Sequence, residues 1–458
     1  MIFALRLNIQ RDLHPSQILV FSFIFAILAG TLLLKLPGAV NGEPLSLLDA
    51  LFTATSAVCV TGLVVVDTGA KFTQTGQLII LFLIQIGGLG IMTFSVVFIM
   101  ILGKKISFKE KSLIQETFVD SSMKDVKSIA FSVILFALAI EALGAFILFI
   151  YWTGEFDLSR AFYLSLFHSV SAFCNAGFAL FPDSLMRYND SIVVNLTIMA
   201  LIILGGIGFY VLTDLRYYLF PGSSKRRRLS LHSKVVLVTS AILVVMGAIV
   251  FFVMERGNTL KTDSIALGIL ESFFQSVTAR TAGFNTVDIS LLNPETLFFI
   301  IILMFIGASP GSTGGGVKTG TIGILFALVK SRYAGRTDVS IFKRTVPDDV
   351  VARALSIVVL SIIVVILFAM GLMMTDQLAA GYFEKKAHFV EMLFETVSAF
   401  GTVGLSTGAT SSLSQTGKIL VSLLMFIGRV GPLTIALAAG RKKAKGRFRY
   451  SEERIMTG

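Results

Sequence analysis

FTATSAVCVTGL, from Phe52 to Leu63, occurs three more times in this chain with different letters in the same frame. The other versions are FHSVSAFCNAGF (Phe167–Phe178), FFQSVTARTAGF (Phe273–Phe284) and FETVSAFGTVGL (Phe394–Leu405). In each, a Phe precedes a Gly by ten residues, and a Leu or Phe follows the Gly. A second glycine signature comes 24 to 28 residues later: IGGLG (Ile86–Gly90), LGGIG (Leu204–Gly208), IGASPG (Ile306–Gly311) and IGRVG (Ile427–Gly431). Four coincidences at a fixed spacing identify an internal repeat.

The repeat sits in an apolar chain. Of 458 residues, 55% are hydrophobic and 15% charged, where a soluble domain carries about 25% charged residues. Eight segments are long enough to span a bilayer: about 17–36, 77–102, 127–152, 192–214, 233–254, 296–329, 351–374 and 417–439. Shorter apolar segments at 46–57, 161–173, 265–278 and 387–399 have the length of re-entrant helices. The net charge is +11, and 27 of the 39 Lys and Arg fall in five clusters: near Arg6 and Arg11, Lys104–Lys127, Arg216–Lys234, Lys330–Arg353 and Arg441–Arg454. Each cluster abuts a span, so the positive-inside rule puts both termini and three loops in the cytoplasm. Orientation explains the basic residues, and nucleic-acid binding is set aside. The expected fold is all-α and integral to the membrane, with four repeats of span, pore helix and span around a pseudo-fourfold central pore. That makes eight transmembrane helices and four re-entrant pore helices, with repeats at 17–103, 126–214, 232–330 (second span interrupted) and 351–440. Residues 1–16 and the basic tail 441–458 are expected to be cytoplasmic.

A half-helix ending inside a membrane leaves carbonyls unpaired, which is tolerable only inside protein or beside a watery cavity. Glycine at a fixed offset supplies a left-handed φ. Four such loops about one axis would offer a ring of carbonyls in place of a cation's water shell. The expected ion-binding strands are Cys59, Val60, Thr61 and Gly62; Cys174, Asn175, Ala176 and Gly177; Arg280, Thr281, Ala282 and Gly283; and Gly401, Thr402, Val403 and Gly404. They carry no Asp or Glu ring, which argues against a divalent-cation filter. The competing reading is that these glycines only permit helix packing.

Three basic residues lie in or beside membrane segments: Arg280, Lys318 and Arg429. Arg280 stands where the other repeats have Cys59, Cys174 and Gly401. It is expected to brace the filter by pairing with Glu141, Glu271, Glu391 or Glu395, rather than to meet the ion. Arg429 replaces the second glycine of its signature and is read as a barrier facing the pore, with a snorkelling side chain as the alternative. The stretch GASPGSTGGGVKTG, Gly307 to Gly320, imitates a phosphate-binding loop, but with Lys318 one residue late and in the middle of a span. Its counterparts read on as Leu- and Val-rich helix after two or three glycines. Pro310 and Gly311, Gly314, Gly315 and Gly316 break the helix here. The expectation is a mobile gate formed by Ser309, Pro310, Gly311, Ser312, Thr313, Gly314, Gly315, Gly316 and Lys318, together with Arg429; the alternative is a static kink.

On these repeats, on Gly62, Gly177, Gly283 and Gly404, and on Gly307–Gly320, the chain resembles the Trk/Ktr/HKT superfamily of potassium transporters over nearly its whole length. It is most similar to the Ktr B membrane subunits, since only about 16 residues precede the first span and the long Trk form adds two helices there. The resemblance implies potassium uptake at the filter carbonyls across a bacterial plasma membrane. It also implies a homodimer with one pore per protomer and a cytoplasmic nucleotide-binding regulatory ring of RCK type. It implies sodium as a possible activator, no covalent cofactor, and nucleotide on the partner rather than on this chain. Gly62, where a plant-type filter carries Ser, favours potassium. A sodium- or proton-coupled cation symporter with weak potassium/sodium discrimination is the alternative.

Catalysis finds no support. The four His, at 14, 168, 232 and 388, are scattered, and no soluble segment is large enough for a nucleotide domain. The purified chain is therefore expected not to bind ATP at Lys318; saturable photolabelling there would overturn that reading of Gly307–Gly320.

Overall fold

The computed structural model describes residues 15–90, 126–219, 228–260, 264–379 and 389–439. The N-terminal residues 1–14, the second half of the 77–102 span, Lys104–Lys124, Arg226, Arg227, His388 and the tail 441–458 lie outside them. Apart from a two-residue hairpin pairing Ser340–Ile341 with Arg344–Thr345, the described chain is helical.

Twelve of the described helices fall into three sets of four. The long set is Pro15–Leu34, Val126–Trp152, Leu231–Glu255 and Asp348–Ala379. Each is long and apolar enough to cross a bilayer. Phe25, Leu143, Val253 and Leu367 point outward along them, as side chains do where the solvent is lipid. The short set is Leu47–Cys59, Leu158–Phe173, Ile265–Thr278 and Phe389–Gly401. Three of these start on capping side chains, with Ser46, Asp157 and Ser264 accepting the N–H of Asp49, Arg160 and Leu267. Almost every residue in their last two turns is buried. The third set carries the second glycine signature: Gln74–Gly88, Ile192–Ile207, Pro294–Phe305 and Gln415–Val430. It is capped by Thr73, Ser191 and Ser414, and by Pro294 at the first helical position.

Packing closes these sets into a ring. Each short helix lies against the long helix before it. Each glycine-bearing helix also packs on the short helix of the following unit, and Gln415–Val430 returns to pack on Leu47–Cys59. The first glycine of the signature makes the close approach possible. A Cβ on Gly87, Gly205 or Gly428 would strike the carbonyl oxygen of Val58, Phe173 or Phe400, each four residues before the repeat glycine of its own unit. Gly307 instead lies against its own loop at Gly315.

The structure corrects one expectation. The helix at Gly307–Gly320 is not the only interrupted one. Gly90, Gly208 and Gly431, the last glycines of the other three signatures, have φ of 83°, 99° and 91°, far from the helical value near −63°. At Gly208 the chain turns by 102° into a second helix, Phe209–Leu219. At Gly431 it breaks before Pro432–Ala439. Hydropathy continues across these points, so the break is invisible to it. Repeat 3 differs in having a 13-residue loop, 306–318, where the second and fourth have a single hinge residue, Gly208 and Gly431.

The backbone contact at Gly428 predicts that Gly428→Ala is destabilising by about 1–3 kcal/mol, because neither backbone can yield. A matched Gly257→Ala, with nothing within 4 Å of the added methyl, should be neutral. Thermal unfolding in detergent measures both, and equal midpoints would remove the contact from the account.

Candidate functional site: a four-glycine ring and the loop beneath it

The four short helices end three to five residues before Gly62, Gly177, Gly283 and Gly404, and these glycines meet. A Cβ on Gly62 would lie 3.0 Å from the Cα of Gly177, and one on Gly177 2.9 Å from that of Gly283. One on Gly283 would lie 3.2 Å from Gly404, and one on Gly404 3.0 Å from Gly62. The contacts run in chain order and close on themselves. Against each glycine lies the carbonyl oxygen preceding the next one: Ala176 against Gly62, Ala282 against Gly177, Val403 against Gly283 and Thr61 against Gly404. Four backbone oxygens thus surround one axis, and four helix C-termini, the negative ends of their dipoles, aim at it.

The strands share an unusual backbone. All four glycines have positive φ, and so do Val60, Asn175, Thr281 and Thr402, two residues earlier. Left-handed φ at a β-branched residue is a genuine outlier, costing about 1–3 kcal/mol where it occurs. It falls on three β-branched residues and on Asn175, which tolerates it better, and its recurrence at one position of four units marks a conformation the surroundings enforce. Hydroxyls on the short helices supply part of that force. Ser56 and Ser398 accept the N–H of Gly62 and Gly404 at 3.1 Å. Ser171 and Thr278 donate to the carbonyls of Phe178 and Phe284 at 2.7 and 2.6 Å. These hydroxyls were missed as site residues, although Ser at the sixth position before the glycine is legible in three of the four quoted stretches.

Above the ring opens a vestibule of about 320 Å³ whose floor includes the four glycines and whose wall carries Asp67, Asp183 and Asp288. They too were missed, since they lie beyond the repeated letters. Asp183 is paired with Arg187 at 3.0 Å.

Below the ring lies the loop. Ile306 and Val317 bridge its ends, with Gly307 N–H donating to Val317 O at 2.9 Å. Its glycines press on the strands: a Cβ on Gly314 would strike the Thr281 hydroxyl and one on Gly315 that of Thr402, which accepts the Gly315 N–H at 3.0 Å. Ser309 N–H and Thr313 N–H donate to the carbonyls of Gly206 and Gly205 at 3.0 and 3.3 Å. Ser312 Oγ donates to Ser309 O at 2.6 Å, Pro310 O lies against Gly208, and Gly311 and Gly316 have φ of 69° and 67°. Lys318 Nζ folds back to donate to Gly314 O at 2.6 Å. Arg429 donates to the carbonyls of Thr313 and Gly87. One guanidinium from the fourth unit therefore ties the loop of the third to the first.

Four expected strand residues stand behind the axis. Cys59 and Cys174 are buried free thiols, with Cys174 Sγ 3.5 Å from Gln85 Oε1. Gly401 lets the Met304 carbonyl approach to 2.6 Å of where a Cβ would be. Arg280 corrects an expectation: among the described residues its hydrogen-bond partner is Ser240 Oγ, at 3.1 Å, rather than Glu141, Glu271, Glu391 or Glu395. The third helix end is differently wound. Ala282 N–H bonds four residues back to Thr278, whereas Thr61, Ala176 and Val403 bond five back. The side chain of residue 280 runs outward to the long helix Leu231–Glu255. Glu141 instead accepts from Gln85 Nε2 at 3.1 Å, and Glu271 from Asn189 Nδ2 at 3.1 Å.

Bilayer-length apolar helices around an axial ring of backbone carbonyls define a polytopic, all-α membrane protein of transporter type. Residues 8–448 match the TrkH family, described as cation transport protein, and the chain belongs to that family. It is 41% identical to the Ktr system potassium uptake protein B of Bacillus subtilis, with 97% of each chain covered. It is 39% identical to the protein of that name from Vibrio alginolyticus, over 96% of this chain and 94% of that one. It is 37% identical to the potassium/sodium uptake protein NtpJ of Enterococcus hirae, over 98% and 99%. The crystal structure of the potassium transporter TrkH from Vibrio parahaemolyticus is similar in fold, with a TM-score of 0.68 at 19% identity, covering 91% of this chain and 84% of that one.

If Arg429 holds the loop, Arg429→Ala frees the Thr313 carbonyl and raises basal cation flux in reconstituted vesicles. Unchanged flux and ion preference would remove the clamp.

Proposed function

We propose that this chain is the ion-translocating subunit of a Ktr-type system, taking up potassium through a carbonyl-lined pore at the centre of four span–pore helix–span units. The observation that carries the reading is the closed ring of Gly62, Gly177, Gly283 and Gly404, each against the carbonyl of the next unit. Uncharged oxygens in a ring replace the hydration of a monovalent cation, and the four strands themselves contain no Asp or Glu to favour a divalent one. Helix C-termini supply negative potential without a titratable group. The membrane potential drives uptake, at about 2.3 kcal/mol per charge per 100 mV.

The loop 306–318 is the gate of this pore. It sits against Thr281 and Thr402 at the lower edge of the ring, and hydrogen bonds tie it to the second and fourth units. The gate is set by a cytoplasmic nucleotide-binding ring, and the chain works as a homodimer in a bacterial plasma membrane with both termini cytoplasmic. Support for these points is the identity with Ktr membrane subunits over nearly the whole chain and the basic clusters at the expected inner ends. Sodium promotes uptake on this reading. The similarity to a potassium/sodium uptake protein also keeps in view the alternative of a sodium- or proton-coupled symporter with weak discrimination.

Rubidium and sodium uptake into proteoliposomes tests the reading. The chain is expected to take up rubidium in strong preference to sodium and to lose that flux in Gly283→Asp or Gly404→Asp at normal protein levels. Normal rubidium flux in either variant would sink the ring assignment; comparable sodium uptake by the wild-type chain would favour the symporter.

A further inference from the structure

Four seams close the ring, each where a glycine-bearing helix packs on the short helix of the next unit. The chain itself crosses three of them as it runs from one unit into the following one. It does not cross the seam where Gln415–Val430 of the fourth unit meets Leu47–Cys59 of the first. A chain link keeps two surfaces at high local concentration, and at this seam side chains alone must do so.

The residue ten positions before the signature glycine reaches across the seams. In the first unit it is Gln77, whose Oε1 accepts from Tyr163 Oη on the second short helix at 2.8 Å. In the second it is Asn195. Its Nδ2 donates to Asn189 O at 3.2 Å, and the Asn189 side chain donates to Glu271 on the third short helix at 3.1 Å. In the third unit the position holds the apolar Leu297. In the fourth it is Lys418, whose Nζ donates to Asp49 Oδ1 on the first short helix at 2.7 Å, across 369 residues of sequence. Of the ion pairs between described residues, this is the one that joins two units.

The charges are accounted for on both sides. Asp49 lies in the first turn of its helix, where the dipole favours an anion, and its Oδ2 accepts the Ser46 hydroxyl at 2.7 Å. Oδ1 is left for Lys418. Lys418 also lies in a first turn, where the dipole disfavours a cation, so its own helix gives no reason for it. The two side chains are only 18% and 20% exposed, which makes each the other's counter-ion rather than a solvated charge. A charge-assisted bond is about twice as strong as a neutral one, and it stands at the seam without a chain link. Two more side chains cross that seam at other depths: Arg429 donates to Gly87 O, and Gln17 Nε2 donates to Ala438 O at 3.0 Å. In the ring, this is the seam where Thr61 O lies against Gly404.

We propose that Lys418 and Asp49 are a positioning pair for ion selection: their ion pair replaces the chain link that the closing seam lacks, and so fixes Thr61 O against Gly404. This rests on the pore reading above. With the pair broken, the first and fourth strands separate, and the ring passes cations with less distinction between potassium and sodium.

Lys418→Met and Asp49→Asn each break the pair. In proteoliposomes each should lower the rubidium/sodium preference about fivefold, the order of one lost charge-assisted bond. The double variant should fall no further than either single one. Lys418→Arg keeps the pair and should keep the preference. Tyr163→Phe removes the tie at a seam that the chain does cross, and should keep it too. Hydrogen exchange of peptides covering Phe52–Leu63 and Phe394–Leu405 reads the seam without transport. It should quicken in Lys418→Met and Asp49→Asn, with exchange elsewhere unchanged, and stay at the wild-type rate in Lys418→Arg and Tyr163→Phe. Wild-type exchange in the two broken-pair variants overturns the proposal, as do additive losses of preference or an equal loss in Tyr163→Phe. A wild-type chain that takes up sodium as readily as rubidium counts against the pore reading instead, and the exchange then decides the pair by itself.

Discussion

A backbone carbonyl in hydrocarbon has no water to serve it, so it must find a donor or a cation. Four short helices put their last carbonyls, and the strands beyond them, around one axis where the neighbouring strands offer no N–H groups in return. The left-handed φ at Val60, Asn175, Thr281 and Thr402 keeps these oxygens turned the same way in four units. Donors that could have satisfied them are engaged elsewhere: the amides of Gly62 and Gly404 are bound by Ser56 and Ser398. Among the described residues no donor meets the oxygens of Thr61, Ala176, Ala282 and Val403, which is what the proposed cation ring requires.

Departures from fourfold likeness matter as much as the likeness. Three units bring a span glycine against a pore-helix carbonyl, and the third turns Gly307 onto its own loop. The loop is thereby placed against two of the four strands. Its other ties reach out of its own unit: to Gly205 and Gly206 in the second, to Thr402 and Arg429 in the fourth, and through Arg429 to Gly87 in the first. An element held by all the units it underlies is able to respond when any of them moves. Its ties to these units are hydrogen bonds with buried backbone groups, while Val317 at its far end is seated in the apolar core.

Much of the site was legible because the repeat is written in the positions that sterics forbid to vary freely. Gly62, Gly177, Gly283 and Gly404 must be glycine for two reasons at once, a positive φ and a neighbouring Cα about 3 Å from any added Cβ. Such positions announce themselves at equal spacing. Arg280 shows the opposite case. Its place in the repeat was readable, but its partner was not, because the winding of one helix end turned the side chain towards Ser240. The breaks at Gly90, Gly208 and Gly431 were hidden for another reason: an apolar run continues through them, and hydropathy does not register a change of direction.

The sequence by itself determined that the chain lies in a membrane, that one unit is used four times, and where each unit carries its indispensable glycines. Composition decides the first through the solvent each side chain prefers, and periodic spacing decides the others. Only the tertiary structure decided that the four glycines touch in a closed cycle, that the loop after Gly307 lies against Thr281 and Thr402, and that Arg429 reaches both Thr313 and Gly87. It also decided that Lys418 meets Asp49. These are contacts between residues tens to hundreds of positions apart, and no local preference for helix, turn or burial specifies which distant carbonyl a donor will meet.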